Sequence, residues 1–239
     1  MIYLFTDLWT DYLSVIYYSI TFYCLIKTSQ HGFTNGRYCP TNLLDFLKVV
    51  TTNADEGNPV DLIYLDFAKA FDKVPFIRLF KKIEAHGISG HVLNWIKNWL
   101  DGRRQKVCIN KEFSNWANVT SGVPQGSVLG PILFSIYIND IDNSLISKIC
   151  KFADDTKMCK NVGRLEDVIS LQNDLNNLYK WSIDWQMQFN VDKCSVIHIG
   201  NKNLNNTYKL GNSNLRSSDK ERDLGVIVDS GLKFAYHAV

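Results

Sequence analysis

The sequence predicts an α+β fold, an antiparallel sheet of short buried strands backed by amphipathic helices. Two apolar runs of strand length end in carboxylates: residues 62–65 precede Asp66, and residues 149–153 precede Asp154 and Asp155. Elsewhere long stretches carry apolar residues every three or four positions, which is the period of a helix packed on a core. Strands and helices therefore share one chain of 239 residues.

The remaining elements follow from the same patterns. Thr41 predicts the N-cap of a helix whose apolar face begins at Leu43. Glycines at 87 and 90 separate two further helices, and the turn at Asn110 joins two strands. Helices are predicted at 43–50, 76–85, 92–100, 127–141 and 165–185, and further strands at 104–109, 116–120, 194–199 and 224–228.

Composition narrows the function classes only slightly. The net charge of +2 is too small to indicate a nucleic-acid binder by itself. Between residues 69 and 111, however, ten Lys and Arg stand against three acids, which fits either a phosphate track or a solvated helix face. Six cysteines without zinc spacing predict reduced thiols in the core.

The first 29 residues differ from the rest because they are crowded with aromatic and aliphatic side chains. Their uncharged run, 12–26, is fifteen residues long, whereas a membrane span needs about 20. We interpret the segment as an element packed on the core or as sequence foreign to the domain, with a weak membrane anchor as the alternative.

The carboxylates at the strand ends are the candidate chemical groups. A carboxylate that ends a buried strand is costly unless it is solvated or binds a ligand. Mg²⁺ prefers such oxygens, and Asp66 and Asp154 on neighbouring strands could share two ions for phosphoryl transfer. Taken alone, an Asp-Asp pair is more often a solvated turn than a metal site.

Three motifs resemble motifs A, B and C of the reverse transcriptases of non-LTR retrotransposons, the jockey and CR1-like group. They are residues 64–72 (YLDFAKAFD), 121–131 (SGVPQGSVLGP) and 152–155 (FADD). Residues 29–37 resemble the fingers motif upstream of motif A, 190–194 resemble motif D and 223–228 resemble motif E, the primer grip. All blocks occur in order over residues 24–239, which makes the resemblance far more specific than any single motif.

The resemblance implies a right-hand polymerase palm with partial fingers and a truncated thumb. It implies a segment at 1–23 outside the match, partial fingers at 24–60, the palm with finger insertions at 61–220, and the primer grip with the start of a thumb at 221–239. Implied partners are an RNA template, a DNA primer and dNTPs, inside the cell, in cytoplasm or nucleus, without stable membrane association. The alternative is an inactive retroelement remnant that folds, and binds nucleic acid, without polymerising.

The resemblance also assigns roles to residues, each of them an expectation. Asp66 and Asp154 bind two Mg²⁺ ions, or Mn²⁺ in their place, together with the backbone carbonyl of Phe67; Asp155 supports the site. Lys193 is a general acid for pyrophosphate. The residues expected to contact the nucleotide or template are Phe71 beneath the sugar, Pro124, Gln125 and Gly126 beside the base, and Arg37 at the triphosphate.

Overall fold

The computed structural model describes residues 25–233 of the chain. Its helices are α1 (Cys39–Asp55), α2 (Phe76–Ala85), α3 (Gly90–Leu100), α4 (Leu129–Tyr137) and α5 (Leu165–Asp184). Its strands are β1 (Val60–Leu65), β2 (Arg104–Gln105), β3 (Cys108–Ile109), β4 (Glu112–Phe113), β5 (Ala117–Asn118), β6 (Lys148–Phe152), β7 (Asp155–Asn161), β8 (Ser195–Ile199), β9 (Lys209–Leu210), β10 (Ser213–Asn214), β11 (Arg216–Ser217), β12 (Lys220–Asp223) and β13 (Val226–Asp229). The predicted α+β class is confirmed.

The chain divides into two compact units. Within the described residues, the sheet unit comprises Lys27–Ala68 and 139–233, and the helical unit comprises 25–26 and Lys69–Ile138. The predicted segment 1–23 and the last six residues lie outside the described part of the chain, and the domain boundaries stay a prediction.

A five-stranded sheet in the order β11-β8-β1-β7-β6 is the framework of the sheet unit. β1 is its central strand and pairs antiparallel with β7 and β8, while the short edge strand β11 is parallel to β8. Phe46 and Val50 of α1 pack with Leu62, Cys159 and Ile197 in one apolar cluster, so the helix covers one face of the sheet. The central strand is thereby fixed in position up to the residue that ends it.

In the helical unit, α2 packs against α3 and α4 through apolar stripes that include Leu79, Ile83 and Ile96. α2 begins at the predicted residue and α3 begins two residues before the predicted one, because the apolar residues of both helices are strongly periodic. Between α3 and α4 the chain forms two small antiparallel pairs, β2 with β5 and β3 with β4.

Two expectations were wrong in detail. Thr41 is not the N-cap of α1, because Tyr38 occupies that position and the Thr41 hydroxyl accepts a hydrogen bond from the Tyr38 N–H at 2.9 Å. Of the described cysteines only Cys150, Cys159 and Cys194 are buried, whereas Cys108 is exposed on a two-residue strand that has no core behind it. Within residues 25–233 no helix is both long and apolar enough to cross a bilayer.

Candidate active site

Asp66 is the first residue after the central strand β1. Its carbonyl accepts a hydrogen bond from Asn190 N–H at 2.8 Å, and its own N–H donates to Cys194 Sγ at 3.4 Å. The next residue, Phe67, is buried and stacks on Phe189 with ring centroids 4.6 Å apart. The segment around residue 190 therefore fixes the backbone on both sides of Asp66.

Asp154 lies in the two-residue turn that joins β6 to β7. Phe152 pairs with Asp155 across this hairpin, so Ala153 and Asp154 alone form the turn. Ala153 has φ +54°, a left-handed conformation that costs free energy for a residue with a Cβ and that persists only when the surroundings enforce it. The tight turn therefore projects Asp154 beyond the sheet edge.

Strand register brings the two carboxylate segments together. Leu65 of β1 pairs with Thr156 of β7 as the last pair of the antiparallel ladder, so Asp66 directly follows one member of this pair and Asp155 directly precedes the other. The hypothesis that separate strand ends bring Asp66, Asp154 and Asp155 to one edge of a sheet agrees with this register.

Desolvation and neighbouring negative charges disfavour the charged forms of Asp154 and Asp155. Desolvation raises the pKa of Asp154 above its usual range, and the negative charge of Asp66 adds to the rise. The pKa of Asp155 is raised by desolvation and then by the charges of Asp154 and Asp223. Such a cluster is stabilised by a bound cation.

The donor set fits a divalent cation of the magnesium type. Asp66 Oδ2 is buried without a hydrogen-bond donor, although the exposed Lys193 ammonium forms an ion pair with it at 3.4 Å. Among residues 25–233 no group of three or more His, Cys, Asp or Glu side chains is arranged to hold a metal. One or two carboxylates, completed by water and substrate phosphates, is the usual protein environment of Mg²⁺.

A groove of about 210 Å³ lies beside the carboxylates and reaches the β12–β13 hairpin. Asp66, Asp155 and Lys193 line it together with residues 221–224. Under the groove Lys157 forms a buried ion pair with Asp223, and both side chains are only 5% exposed. Lys157 lies two residues after Asp155 on β7, so this pair fixes the hairpin to the strand that carries the carboxylates.

Replacing Lys157 by Met is expected to lower the free energy of unfolding by about 3–5 kcal/mol, because the buried Asp223 charge loses its partner. Urea unfolding measures the loss. The double variant Lys157→Met/Asp223→Leu should be less destabilised than the single one, and Arg216→Met, which breaks an exposed pair with Glu221, should cost less than about 1 kcal/mol. Equal losses for the buried and the exposed pair would contradict the role of Lys157.

In the helical unit, Phe71 is half-buried and stacks on Phe134 of α4 with ring centroids 4.5 Å apart. Its carbonyl accepts a hydrogen bond from Val123 N–H at 2.8 Å. Gly122 has φ +87°, and a Cβ there would lie 2.6 Å from the Asp72 carbonyl oxygen. Only glycine therefore permits this close approach of the loop to the segment that carries Phe71.

The loop 124–126 exposes Gln125, four residues before α4 begins. The Pro124 carbonyl accepts the Ser127 hydroxyl at 2.7 Å, and Gly126 adopts φ +79°. Gly130 packs so closely that a Cβ would lie 2.3 Å from the Pro124 carbonyl oxygen. The backbone of the loop is thus fixed while the Gln125 side chain is left free for a ligand.

A family model described as "Reverse transcriptase (RNA-dependent DNA polymerase)" matches residues 10–228. This chain belongs to the reverse transcriptase family. It is 31% identical over 222 residues to the RNA-directed DNA polymerase from mobile element jockey of Drosophila funebris, covering 89% of this chain and 24% of that protein. It is also 28% identical over 215 residues to the probable RNA-directed DNA polymerase from transposon X-element of Drosophila melanogaster, with coverages of 87% and 24%.

The chain thus spans about a quarter of the length of these relatives. Solved structures support its fold. Apo telomerase of Candida tropicalis, truncated from its C-terminal domain, superposes with a TM-score of 0.61 at 12% identity over 94% of this chain and 44% of that one. The telomerase of the same species in complex with a fragment of telomeric RNA gives a TM-score of 0.62 at 13% identity over 96% and 37%. The palm-like fold expected from the motifs is confirmed.

Arg37 lines a second groove, of about 460 Å³, with Thr41, Asp45 and Lys148. It is not among the residues that line the carboxylate groove. Its guanidinium donates to the Thr28 carbonyl and, at 3.1 Å, to His31 Nε2. The expected role of Arg37 at a triphosphate stays a prediction.

His31 is expected to make the stability of the fold depend on pH. Burial and, after it, the charge of Arg37 lower the pKa of His31 below 6.5. Since a guanidinium only donates, His31 Nε2 must accept and the folded ring is neutral. Below pH 6.5 the unfolded chain therefore binds a proton that the fold excludes, and the free energy of unfolding falls by at most about 1.4 kcal/mol per pH unit.

Urea unfolding between pH 5 and 8 measures this slope. His31→Gln should flatten it below pH 6.5, whereas the same change at the exposed His91 should leave it as in the parent chain. An unchanged slope in His31→Gln would mean that another group carries the dependence.

Gln30 is the residue of the site that the sequence did not reveal. Gln30 is 1% exposed, and its amide hydrogen-bonds both the N–H and the carbonyl of Ala153. Its Oε1 accepts from Ala153 N–H at 2.9 Å and from Gly32 N–H at 2.8 Å, and its Nε2 donates to the Ala153 carbonyl at 3.2 Å. Gln30 therefore fixes the backbone of the strained turn that carries Asp154.

Proposed function

We propose that this chain is an RNA-directed DNA polymerase domain of a mobile element. In the proposed reaction a primer 3′-hydroxyl attacks the α-phosphate of a dNTP on an RNA template, and pyrophosphate leaves. The observation that carries the proposal is the strand register that brings Asp66, Asp154 and Asp155 to one sheet edge beside Lys193. The names of the jockey and X-element relatives support the same activity.

Asp66 and Asp154 are proposed to hold the metal ions, with the Phe67 carbonyl as a further ligand and Asp155 as a neighbouring charge. When bound, two Mg²⁺, or Mn²⁺, supply charge that stabilises the attacking and leaving oxygens. The carboxylates fix the position of that charge because hydrogen bonds hold the backbone of Asp66 and that of Ala153, the residue before Asp154. Lys193 then holds a proton for the leaving pyrophosphate.

The loop residues Pro124, Gln125 and Gly126 are proposed to contact the incoming nucleotide and the template base, and Arg37 the triphosphate. The exposed Gln125 amide on a fixed backbone supports this role. An RNA template, a DNA primer and dNTPs are the corresponding partners.

The test is primer extension by the purified chain on an annealed RNA template and DNA primer with dNTPs and Mg²⁺. Extension that stops when Mg²⁺ is chelated is the expected result. A chain that binds the annealed substrate without extending it would instead be the inactive remnant.

Phe71 is proposed to exclude ribonucleotides by contact with the 2′-hydroxyl. Phe71→Val is expected to raise incorporation of NTPs relative to dNTPs about tenfold or more, since a clash of this kind is worth a few kcal/mol. Phe134→Leu removes the same ring stack and is the control for packing. Unchanged nucleotide choice in Phe71→Val would contradict the assignment.

A further inference from the structure

The segment 104–118, here called the ribbon, consists of the pairs β2 with β5 and β3 with β4. Every one of its residues is exposed. A lone two-stranded ribbon is marginal in water because it buries no apolar face. This ribbon lies between two well-packed helices of its unit and yet has no core of its own.

Large apolar side chains on the ribbon face solvent. Trp116 is 54% exposed, Phe113 and Val107 are 60% exposed, and Ile109 is 68% exposed. A run of exposed apolar side chains on one small element indicates a surface that a ligand covers.

Cations are placed on the faces of these rings. Lys106 Nζ lies 3.8 Å from the Phe113 ring centroid and 5.0 Å from that of Trp116, and the Arg104 guanidinium lies 5.5 Å from the Trp116 centroid. The ribbon carries Lys111 as a third cation, against the single acid Glu112. Interfaces between proteins are depleted of lysine at their centre, whereas single-stranded nucleic acid is bound by cations interleaved with stacking rings.

We propose that the ribbon is a binding surface for a single strand of nucleic acid. Bases stack on Trp116 and Phe113, while Arg104, Lys106 and Lys111 contact phosphates. The strand must be single because the faces of the bases in a duplex are already stacked on one another.

The base of the ribbon is joined to the loop of Gln125. If the chain has the proposed polymerase function, on which this step rests, the bound strand is therefore the unpaired RNA template. The Arg103 guanidinium donates to the Gly122 carbonyl at 2.6 Å and so joins the ribbon to the loop of Gln125. A groove of about 640 Å³, lined by Lys69, Arg103, Arg104 and residues 118–125, runs along this junction. A strand bound on the ribbon thus continues towards the loop proposed to contact the template base.

The experiment measures binding of the full chain to a fluorescein-labelled oligouridylate by fluorescence anisotropy. Trp116→Leu and Phe113→Leu are each expected to weaken binding about tenfold, the effect of losing one base stack. Trp116→Phe keeps an aromatic face and should bind oligouridylate nearly as tightly as the parent chain, whereas leucine at this position preserves only apolar area. Ile183→Ala, at an exposed apolar site on α5, should bind as the parent chain does.

Salt dependence tests the phosphate contacts separately. Lys106→Gln is expected to reduce the slope of log K against log salt by about 0.7, and the exposed Lys180→Gln on α5 should leave the slope unchanged. A blunt duplex of the same RNA should bind Trp116→Leu and the parent chain equally.

Oligouridylate binding that is the same in Trp116→Leu as in the parent chain would overturn the proposal. If that variant instead changed only the sedimentation of the chain, the ribbon would be a contact between copies of the protein, and the proposal would again fail. These readouts need no polymerisation, so they stand apart from the primer-extension test. If the parent chain extended a primer while the ribbon variants bound oligouridylate as the parent chain does, only the proposal for the ribbon would fail, and the proposed polymerase function would stand.

Discussion

Asp154→Asn is expected to abolish primer extension, lowering kcat by about 10³-fold or more, while the metal-free chain becomes more resistant to heat. The loss of activity follows because the charge that would hold a cation at the tip of the hairpin is removed. The gain in stability follows because desolvation and the charge of Asp66 already disfavour a carboxylate at this position.

Thermal unfolding with and without Mg²⁺ separates the two effects. A ligand that binds only the folded state raises its stability, so Mg²⁺ should raise the unfolding midpoint of the parent chain more than that of Asp154→Asn. The control is Asp101→Asn, which neutralises an exposed acid and should alter neither activity nor midpoint. Extension by Asp154→Asn at the parent rate would exclude Asp154 from the reaction.

The strands and the turn that carry the carboxylates could be predicted because they depend on local patterns. Each Asp follows a strand-length apolar run, and runs of this kind specify buried strands whatever the rest of the chain does. Antiparallel pairing of β1 with β7 ends at Leu65 and Thr156, the residues next to Asp66 and Asp155. The helices were predicted for the same reason, since the apolar stripes of α2 and α5 repeat with the helical period.

Contacts between distant segments could not be predicted in this way. Gln30 and Ala153 are 123 residues apart, and no periodic pattern encodes a single buried amide. The sequence pattern misplaces the start of α1, because a helix also begins where proline fits its first turn, as Pro40 does here. Thr41 then hydrogen-bonds to the backbone of the N-cap residue instead of being the N-cap itself. Cys108 is exposed because its short strand has no core behind it, and amino-acid composition does not show which strands lack a core.

Gln30→Leu is expected to lower kcat of primer extension by about 10²-fold with little change in KM for the dNTP. Leucine fills nearly the same volume but leaves the Ala153 N–H and carbonyl without partners, so the left-handed turn loses the contacts that enforce it. A displacement of the turn by about 1 Å moves Asp154 out of line with Asp66, which affects the chemical step more than nucleotide binding.

The chain offers a matched control at Gln172. Its Nε2 donates to the Lys209 carbonyl at 2.9 Å and its Oε1 accepts from Lys209 N–H at 2.9 Å, the same two-point grip on a peptide. Gln172 and Lys209 do not line the carboxylate groove. Gln172→Leu therefore loses the same pair of hydrogen bonds to the N–H and carbonyl of one residue and is expected to keep kcat.

A second variant approaches the same turn without touching the Gln30 side chain. A Cβ on Gly32 would lie 2.3 Å from Ala153 N, so Gly32→Ala must push the turn away. It should lower kcat in the same direction as Gln30→Leu, and the two losses should be less than additive because both act through the position of Asp154. If Gln30→Leu and Gln172→Leu had equal kcat, Gln30 would stabilise the fold without positioning the carboxylate.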